Sequence, residues 1–216
     1  TSAPSYRQQV QVQVSIKTCH NTNPTQPFLA LPAGPGAADD LLWTRVRTGP
    51  LRVFWDIDED IDILGEGASC SIQSALFLNK DSHQELKTKI NHLKPNSKSY
   101  QKIKNVLNDN CKGIYQGKIF VKDIAQKTNA YQLSRALLLN DTSEFNAKPE
   151  LEIYADDVKC SHGSTSGSVN EDSIYYLMTR GIKRQNAIEL LTKAFLSEVI
   201  SSISNSEIQI FLEKYL

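Results

Sequence analysis

The sequence predicts a mainly β body, residues 1–169, followed by a C-terminal helical subdomain, residues 170–216. Three observations predict it. Apolar and polar residues alternate with a period of two in many short segments of the body, the pattern of half-buried strands. New segments begin about every 12 to 18 residues, separated by polar turns, with no helical period between them. That spacing argues against a doubly wound α/β sheet and for a sandwich, a barrel or a coiled solenoid. After Ser168 the apolar period lengthens to that of an α-helix.

Val10, Val12, Val14 and Ile16 alternate with Gln11, Gln13 and Ser15 and make the first strand. Through residues 21–50 five prolines (Pro24, Pro27, Pro32, Pro35, Pro50) and three glycines (Gly34, Gly36, Gly49) punctuate the chain, which reads as a long loop. Leu51, Val53, Trp55 and Ile57 resume the alternation, and Ile61 and Ile63 carry it to a turn at Gly65-Glu66-Gly67. Cys70, Ile72, Leu76 and Leu78 mark the next strand. Residues 87–92, 101–107, 114–121, 132–139 and 151–155 follow as β segments, of which 100–107 is also open to a helical reading. Leu151, Ile153 and Ala155 share a strand face, and Val158, Cys160 and His162 share one as well if the extended run continues. Gly163 and the Ser/Thr/Gly run behind it then break the regular structure, placing Cys160 and His162 at a strand end.

The first helix starts at an Asn170 N-cap with Glu171 and Asp172 at its positive end; Ile174, Leu177 and Met178 form its apolar face, and Arg180-Gly181 ends it. A second, from about Lys183, carries Ala187, Ile188, Leu191, Phe195, Val199 and Ile203 on one stripe. In a third, Ser206 and Gln209 make a capping box before Ile208, Phe211, Leu212 and Tyr215.

Lys+Arg and Asp+Glu balance at 24 each, so the surface as a whole is not built for nucleic acid. The longest apolar runs, 75–78 and 136–139, fall far short of the roughly 20 residues of a membrane helix, and the sequence predicts no such span. The N-terminal TSAPSYRQQ lacks the apolar region of a secretory signal. Cys19, Cys70, Cys111 and Cys160 are widely spread without a CxxC, and read as reduced thiols of a cytoplasmic protein.

Cys160 and His162 are the pair with chemistry. Residues two apart on a strand lie about 6.6 Å from Cα to Cα, close enough for a thiolate and an imidazole to converge on one metal ion or cluster. Spacing alone favours the plainer reading of the pair, a buried thiol beside a hydrogen-bonded histidine at a strand end. Asp156 and Asp157, being adjacent, point to opposite strand faces and do not form a paired-carboxylate device. Asp56, Asp58 and Asp60 begin like a calcium loop, but Ile61 and Gly67 stand where that loop needs Gly and Glu. Neither Gly34-Pro35-Gly36 nor Gly65-Glu66-Gly67 continues into a phosphate loop, so no nucleotide is expected on this chain. Cys19-His20 reads as a chance pair, and Cys70 and Cys111 as core or surface thiols.

An ordered set of short motifs carries a resemblance: Gly117-Lys118-Ile119, Ala125-Gln126-Lys127-Thr128-Asn129-Ala130-Tyr131-Gln132, Leu137-Leu138-Leu139, Lys148-Pro149-Glu150-Leu151-Glu152-Ile153, Ala155-Asp156-Asp157-Val158-Lys159-Cys160-Ser161-His162-Gly163 and Tyr176-Leu177 with Arg180-Gly181-Ile182. From about Gly65 onward the chain resembles the SufB/SufD family of iron-sulfur cluster assembly proteins, with a Cys-Ser-His-Gly segment of the SufD type; residues 1–50 match nothing in it. The resemblance implies a right-handed parallel β-helix followed by a helical subdomain. It implies a non-enzymatic scaffold subunit that pairs with a SufB-type paralogue, docks a SufC-type ATPase through its helices and holds a transient iron-sulfur cluster at the partner interface. Carried over by motif, His162 is the candidate cluster ligand, Cys160 its neighbour, and Arg180, Gly181 and Ile182 lie in the ATPase-docking part. A solenoid end is further expected to pair, strand to strand, with the partner, and in isolation with a second copy. A carbohydrate-active β-solenoid enzyme is the alternative, which would need groove carboxylates about 5 to 9.5 Å apart.

Overall fold

The computed structural model describes residues 13–20, 40–47, 55–202 and 206–213. Among these residues ten strands precede three helices: β1 Gln13–His20, β2 Asp40–Arg47, β3 Trp55–Ile63, β4 Ser69–Leu78, β5 His83–His92, β6 Lys98–Leu107, β7 Lys112–Val121, β8 Asn129–Leu138, β9 Glu144–Ile153, β10 Lys159–Ser168, α1 Glu171–Thr179, α2 Arg184–Ile200 and α3 Ser206–Glu213.

From β3 onward each strand pairs parallel with the strand after next. Trp55 lies opposite Gln84, and His83 opposite Lys112, 29 residues on in both cases; Lys98 lies opposite Asn129 and Asn129 opposite Lys159. Two ten-residue strands and two short corners therefore complete one turn. The sheets β3-β5-β7-β9 and β10-β8-β6-β4-β1-β2 wind into a β-solenoid, which selects one of the three architectures left open by the strand spacing. A hairpin-built sandwich or barrel would instead pair neighbours antiparallel, and among the described strands only β1–β2 and β1–β4 pair antiparallel.

The corners stack as well. Gly67, Asn96 and Lys127 occupy equivalent corner positions, all with left-handed backbone (φ +69, 60 and 59). Gly67 N–H donates to Pro95, Asn96 N–H to Gln126 and Lys127 N–H to Asp157 of the next coil. Only the first corner uses glycine, the residue that adopts this conformation without strain.

Three expectations change. Residues 40–47 are a strand rather than loop, because the Pro and Gly of 21–50 leave Leu41, Leu42, Trp43 and Val46 uninterrupted. The helical reading of 100–107 fails against parallel pairing on both sides of β6. Regular structure does not stop at Gly163: β10 runs on to Ser168, in register with β8 throughout, since cross-strand hydrogen bonds outweigh the low strand preference of Gly and Ser. Val10, Val12 and residues 21–39 and 51–54 lie outside the described residues.

Inside the coils, alternate residues of β4 to β8 are buried. Ile72, Ile90, Ile103 and Ile119 make the apolar rows. Between them sits a polar cluster: Tyr115 Oη donates to Gln101 Oε1 at 3.2 Å, Thr88 Oγ1 to the same oxygen at 2.6 Å, and Gln132 Nε2 to Tyr115 Oη at 3.0 Å. Burial pushes the Tyr115 phenol up to about 12, against the hydrogen bonds from Thr88 and Gln132. Gly117 makes room for this cluster. A Cβ there would stand 1.6 Å from Gln132 Nε2 and 2.4 Å from Tyr115 Oη.

His92, fully buried at a corner, meets Ser97 Oγ through Nδ1 at 2.7 Å and Ser99 Oγ through Nε2 at 2.8 Å. Thr128 Oγ1 gives its one proton to the Ala125 carbonyl, so Ser97 donates to Thr128 and the His92 Nδ1–H donates to Ser97. Nε2 then accepts from Ser99. Desolvation lowers His92 to about 4, and it is held neutral.

α2 lies against the outer face of the larger sheet. Its Leu196, Val199 and Ile200 are buried with Ala75 and Val106, while Ala187, nearer its start, packs with Val169 and with Ile174 of α1. The apolar contact thus turns along α2, and the buried line is Ala187, Thr192, Leu196, Val199 and Ile200 rather than the expected stripe; Ile188, Leu191 and Phe195 are half-buried. An ionic latch holds the second half: Glu198 bridges Lys102 (2.6 Å) and the buried Lys104, whose Nζ also donates to the Phe195 carbonyl and lies 4.3 Å above the Phe195 ring. The two lysines hold the Glu198 carboxyl down to about 2. Burial pulls the Lys104 ammonium below the usual lysine range, with Glu198 working against it.

Two predictions follow from these interiors. His92 has a folded value of about 4 against 6.5 unfolded, so the stability tied to its neutral form is complete above pH 6.5 and is lost as pH falls to 4. A loss of about 3 kcal/mol across that window is expected from urea unfolding at stepped pH, and His92→Phe flattens it. Gly117→Ala is expected to destabilise by about 1–3 kcal/mol through overpacking, read as a lower urea midpoint with unchanged slope.

Candidate functional site

β10 is the last strand of its sheet, and its residues continue the inward rows of the coils beneath. Cys160 is in register with Ala130, and through it with Ser99 and Cys70; His162 is in register with Gln132, Gln101 and Ile72. Ala130 and Gln132 are each 1% exposed, so their row, and with it Cys160 and His162, faces inward. No described coil lies beyond β10, and side chains that would otherwise be core are open: Cys160 is half-buried and His162 exposed. The pair therefore sits in the first half of a strand that forms the mouth of the solenoid, not at a strand end.

Cys160 rests on Ile119, Val121, Ala125, Ala130 and Ala155. That apolar floor pushes its thiol above the usual cysteine range, with a hydrogen bond to the Ala130 backbone acting in the opposite direction. One row on, Ser134 Oγ donates to Ser164 Oγ at 2.9 Å and ties the strand to β8. Gly163 faces outward, where an added Cβ would meet Leu133 Cδ1 at 3.4 Å and Tyr131 Oη at 3.9 Å, both ordinary contacts. Space within this chain does not require a glycine there.

Asp156 and Asp157 lie in a bend between β9 and β10 rather than on a strand; Asp157 N–H donates to Gln126 Oε1 at 2.9 Å and its carbonyl accepts from Lys127. Among the described residues no group of three or more His, Cys, Asp and Glu side chains is placed to hold a metal ion. Cys160 and His162 supply one soft and one borderline donor, a fitting but incomplete set for iron-sulfur cargo. Of the other cysteines, Cys111 is fully buried with its sulfur 3.3 Å from Ser82 Oγ, and the β1 register sets Cys19 opposite Cys70.

At the helical end, Arg180, Gly181 and Ile182 terminate α1. Gly181 N–H donates to the Met178 carbonyl and Ile182 N–H to that of Leu177, with Gly181 at φ +84 and Ile182 packed in one apolar cluster with Leu177. This is a Schellman cap, which accounts for the glycine and for the apolar residue after it. Arg180 itself is exposed, 5.1 Å from the Tyr176 ring. Beside it, a cleft of about 500 Å³ runs between α1 and α2, lined by Ser173, Tyr176, Leu177, Leu190, Leu191 and Ala194, with Asp172 at its rim. Tyr176 and Leu190 are 58% and 49% exposed. The sequence reading missed this cleft; the signal lay in Leu190 and Ala194, apolar residues too many for a single stripe on α2.

Residues 43–195 match the family model described as SUF system FeS cluster assembly, SufBD core domain. Among curated proteins, the chain is 35% identical over 139 residues to the iron-sulfur cluster assembly protein SufD of Escherichia coli (strain K12), covering 64% of this chain and 33% of that protein. It is 37% identical over 129 residues to an iron-sulfur cluster assembly SufBD family protein of Synechocystis sp., covering 60% and 28%. With Protein ABCI7, chloroplastic, of Arabidopsis thaliana it shares 42% over 104 residues, 48% and 22% of the two chains. The chain thus spans a third or less of the length of these relatives. The core domain matched over most of the chain, the solenoid that forms it and the Cys-Ser-His-Gly segment on its last strand agree, and the chain belongs to the SufBD family, as a SufD-type member.

Proposed function

We propose that the chain is a non-enzymatic scaffold subunit, acting in the cytoplasm, that holds a nascent iron-sulfur cluster where its last coil meets a SufB-type partner, and that α1 and α2 dock a SufC-type ATPase. The observation that carries this reading is the placement of Cys160 and His162 on the inner face of the uncovered strand β10. A thiolate and an imidazole suit iron-sulfur cargo, and two ligands leave coordination positions for a partner to fill. The edges of the two sheets support the same reading. β9 carries Pro149, which blunts an edge, whereas β10 carries no proline and, among the described residues, has no strand on its outer side. A strand of the partner adding there would extend the sheet and bring its own side chains over the inward row. In isolation the same edge offers a contact to a second copy. The cleft beside Tyr176 and Leu190 is the apolar surface for the ATPase, which would supply the nucleotide chemistry. No described helix is long and apolar enough to cross a membrane.

Two measurements test it. In an anaerobic complex with SufB-type and SufC-type partners, His162→Ala is expected to lower the yield of cluster, followed by its visible absorption, by at least about tenfold with the complex still assembled. An unchanged yield removes the cluster from this strand. Because burial raises the Cys160 thiol, its alkylation by iodoacetamide is expected to be slower at pH 7 than that of free cysteine and to accelerate as pH passes the ordinary thiol range. Peptide mass spectrometry reads the rate, and partner binding should suppress it further.

A further inference from the structure

The polar cluster inside the solenoid ends one strand short of the site. Tyr115 holds one end of the Gln132 carboxamide, Nε2 at 3.0 Å, and the other end, Oε1, has no hydrogen-bond partner although the residue is 1% exposed. The two amides of the cluster can run in either sense along Tyr115, but in both senses one end of Gln132 is held and the other is unused. A buried amide group without a partner is uncommon enough to call for a cause.

In the coil above Gln132, Ser164 is already engaged by Ser134, which leaves one polar candidate in register. In register with Tyr115, Gly117 and Gln132 stand Ala147, Pro149 and His162, and of these three only His162 has a side chain that can hydrogen-bond. Among the described residues His162 makes no side-chain hydrogen bond of its own. On the other side of Gln132, Gln101 Nε2 is also unpaired, yet the two amides do not bond each other. Gly117 lets the Gln132 amide occupy the space a side chain would fill, which fixes it beneath the mouth.

Resting on the reading of His162 as a ligand, we propose that Gln132 is its positioning residue: when a metal ion binds, the imidazole turns inward, hydrogen-bonds the unused end of the Gln132 amide through one ring nitrogen and presents the other to the metal. A neutral imidazole has one donor and one acceptor nitrogen and can meet either end of an amide. Ligating histidines are oriented in this way by a second hydrogen bond, whose loss costs 10- to 100-fold in metal affinity as a rule. Tyr115, which holds the other end of the Gln132 amide at 3.0 Å, is its mount.

The test uses the full chain, reduced and anaerobic, titrated with Co²⁺ alone and followed by its visible absorption. His162→Ala is expected to abolish the Co²⁺ bands. Gln132→Leu, folded by circular dichroism, is expected to weaken Co²⁺ binding about 10- to 100-fold; Gln132→Glu, which keeps an acceptor, is expected to stay within a few-fold of the wild type. Gln101→Leu, which disturbs the same cluster on the side away from His162, is expected to change nothing. Unchanged affinity in Gln132→Leu, or an equal loss in Gln101→Leu, overturns the positioning role while leaving His162 as a ligand. Absent Co²⁺ binding, or binding that His162→Ala does not weaken, removes the ligand reading and the inference with it.

Discussion

Register is the constraint on which the molecule depends. Each strand from β3 onward hydrogen-bonds in parallel to the strand one coil later, so every inward row repeats up the solenoid: Cys70, Ser99, Ala130, Cys160 in one row, and Ile72, Gln101, Gln132, His162 in the next. A residue in one coil is the floor for its register partner in the following coil. At the last described coil that succession ends, and a thiol and an imidazole occupy positions that the coils beneath fill with core residues. The exposure of this pair comes from the termination of a repeat rather than from a cleft cut into the surface.

The outside of the solenoid is organised differently. Where α2 covers the larger sheet, Leu196, Val199 and Ile200 remove apolar surface from water, worth roughly 1.5–3 kcal/mol for each side chain fully buried. Lys104 is drawn into the same contact and kept charged by Glu198, the Phe195 carbonyl and the Phe195 ring. Burying an ammonium is unfavourable unless it is paired, so the latch fixes the angle at which α2 crosses β4 and β6 more than it adds stability. The Glu198 carboxylate is half-exposed, and water screens much of its attraction. α2 packs on β4 and β6, in the middle of the sheet and away from its β10 edge.

Much of this was legible in the sequence because strands and helices differ in period. The alternation through Cys70, Ile72, Leu76 and Leu78 and the caps at Asn170 and Gly181 identify their elements from local chemistry alone, and Asn170 Oδ1 does accept from Ser173 N–H. Pairing is not local. Whether Lys98 lies opposite a neighbour or opposite Asn129 depends on chain closure over some thirty residues, which alternation does not encode; the family resemblance, not the period, pointed to the solenoid. The same limit explains β2 and the second half of β10. In both, flanking or internal Gly, Pro and Ser lower strand preference, and a ladder with an existing strand overrides it. Cys160 and His162 were found by spacing and by motif, but their position at an open mouth could be read only from the register, and Gln132 carried no signal until its amide proved to be half-satisfied.

Two inward histidines among the described residues, His92 and His162, contrast in a way that bears on the proposed site at the end of the repeat. His92 has both ring nitrogens committed to serines, is shut off from water and is held neutral with a value near 4. It is unable to bind a metal without breaking a corner. His162 is in an equivalent inward-facing row, one strand from a buried amide, but among the described residues no coil lies over it and no side-chain hydrogen bond engages either nitrogen. Cys111 and Cys160 make the same contrast, one sealed beside Ser82 and the other half-open on an apolar floor. Under the proposed function, cargo that arrives and departs would need ligands whose remaining contacts are made and broken by another molecule. A closed coil cannot provide that, and the uncovered face of the last strand can.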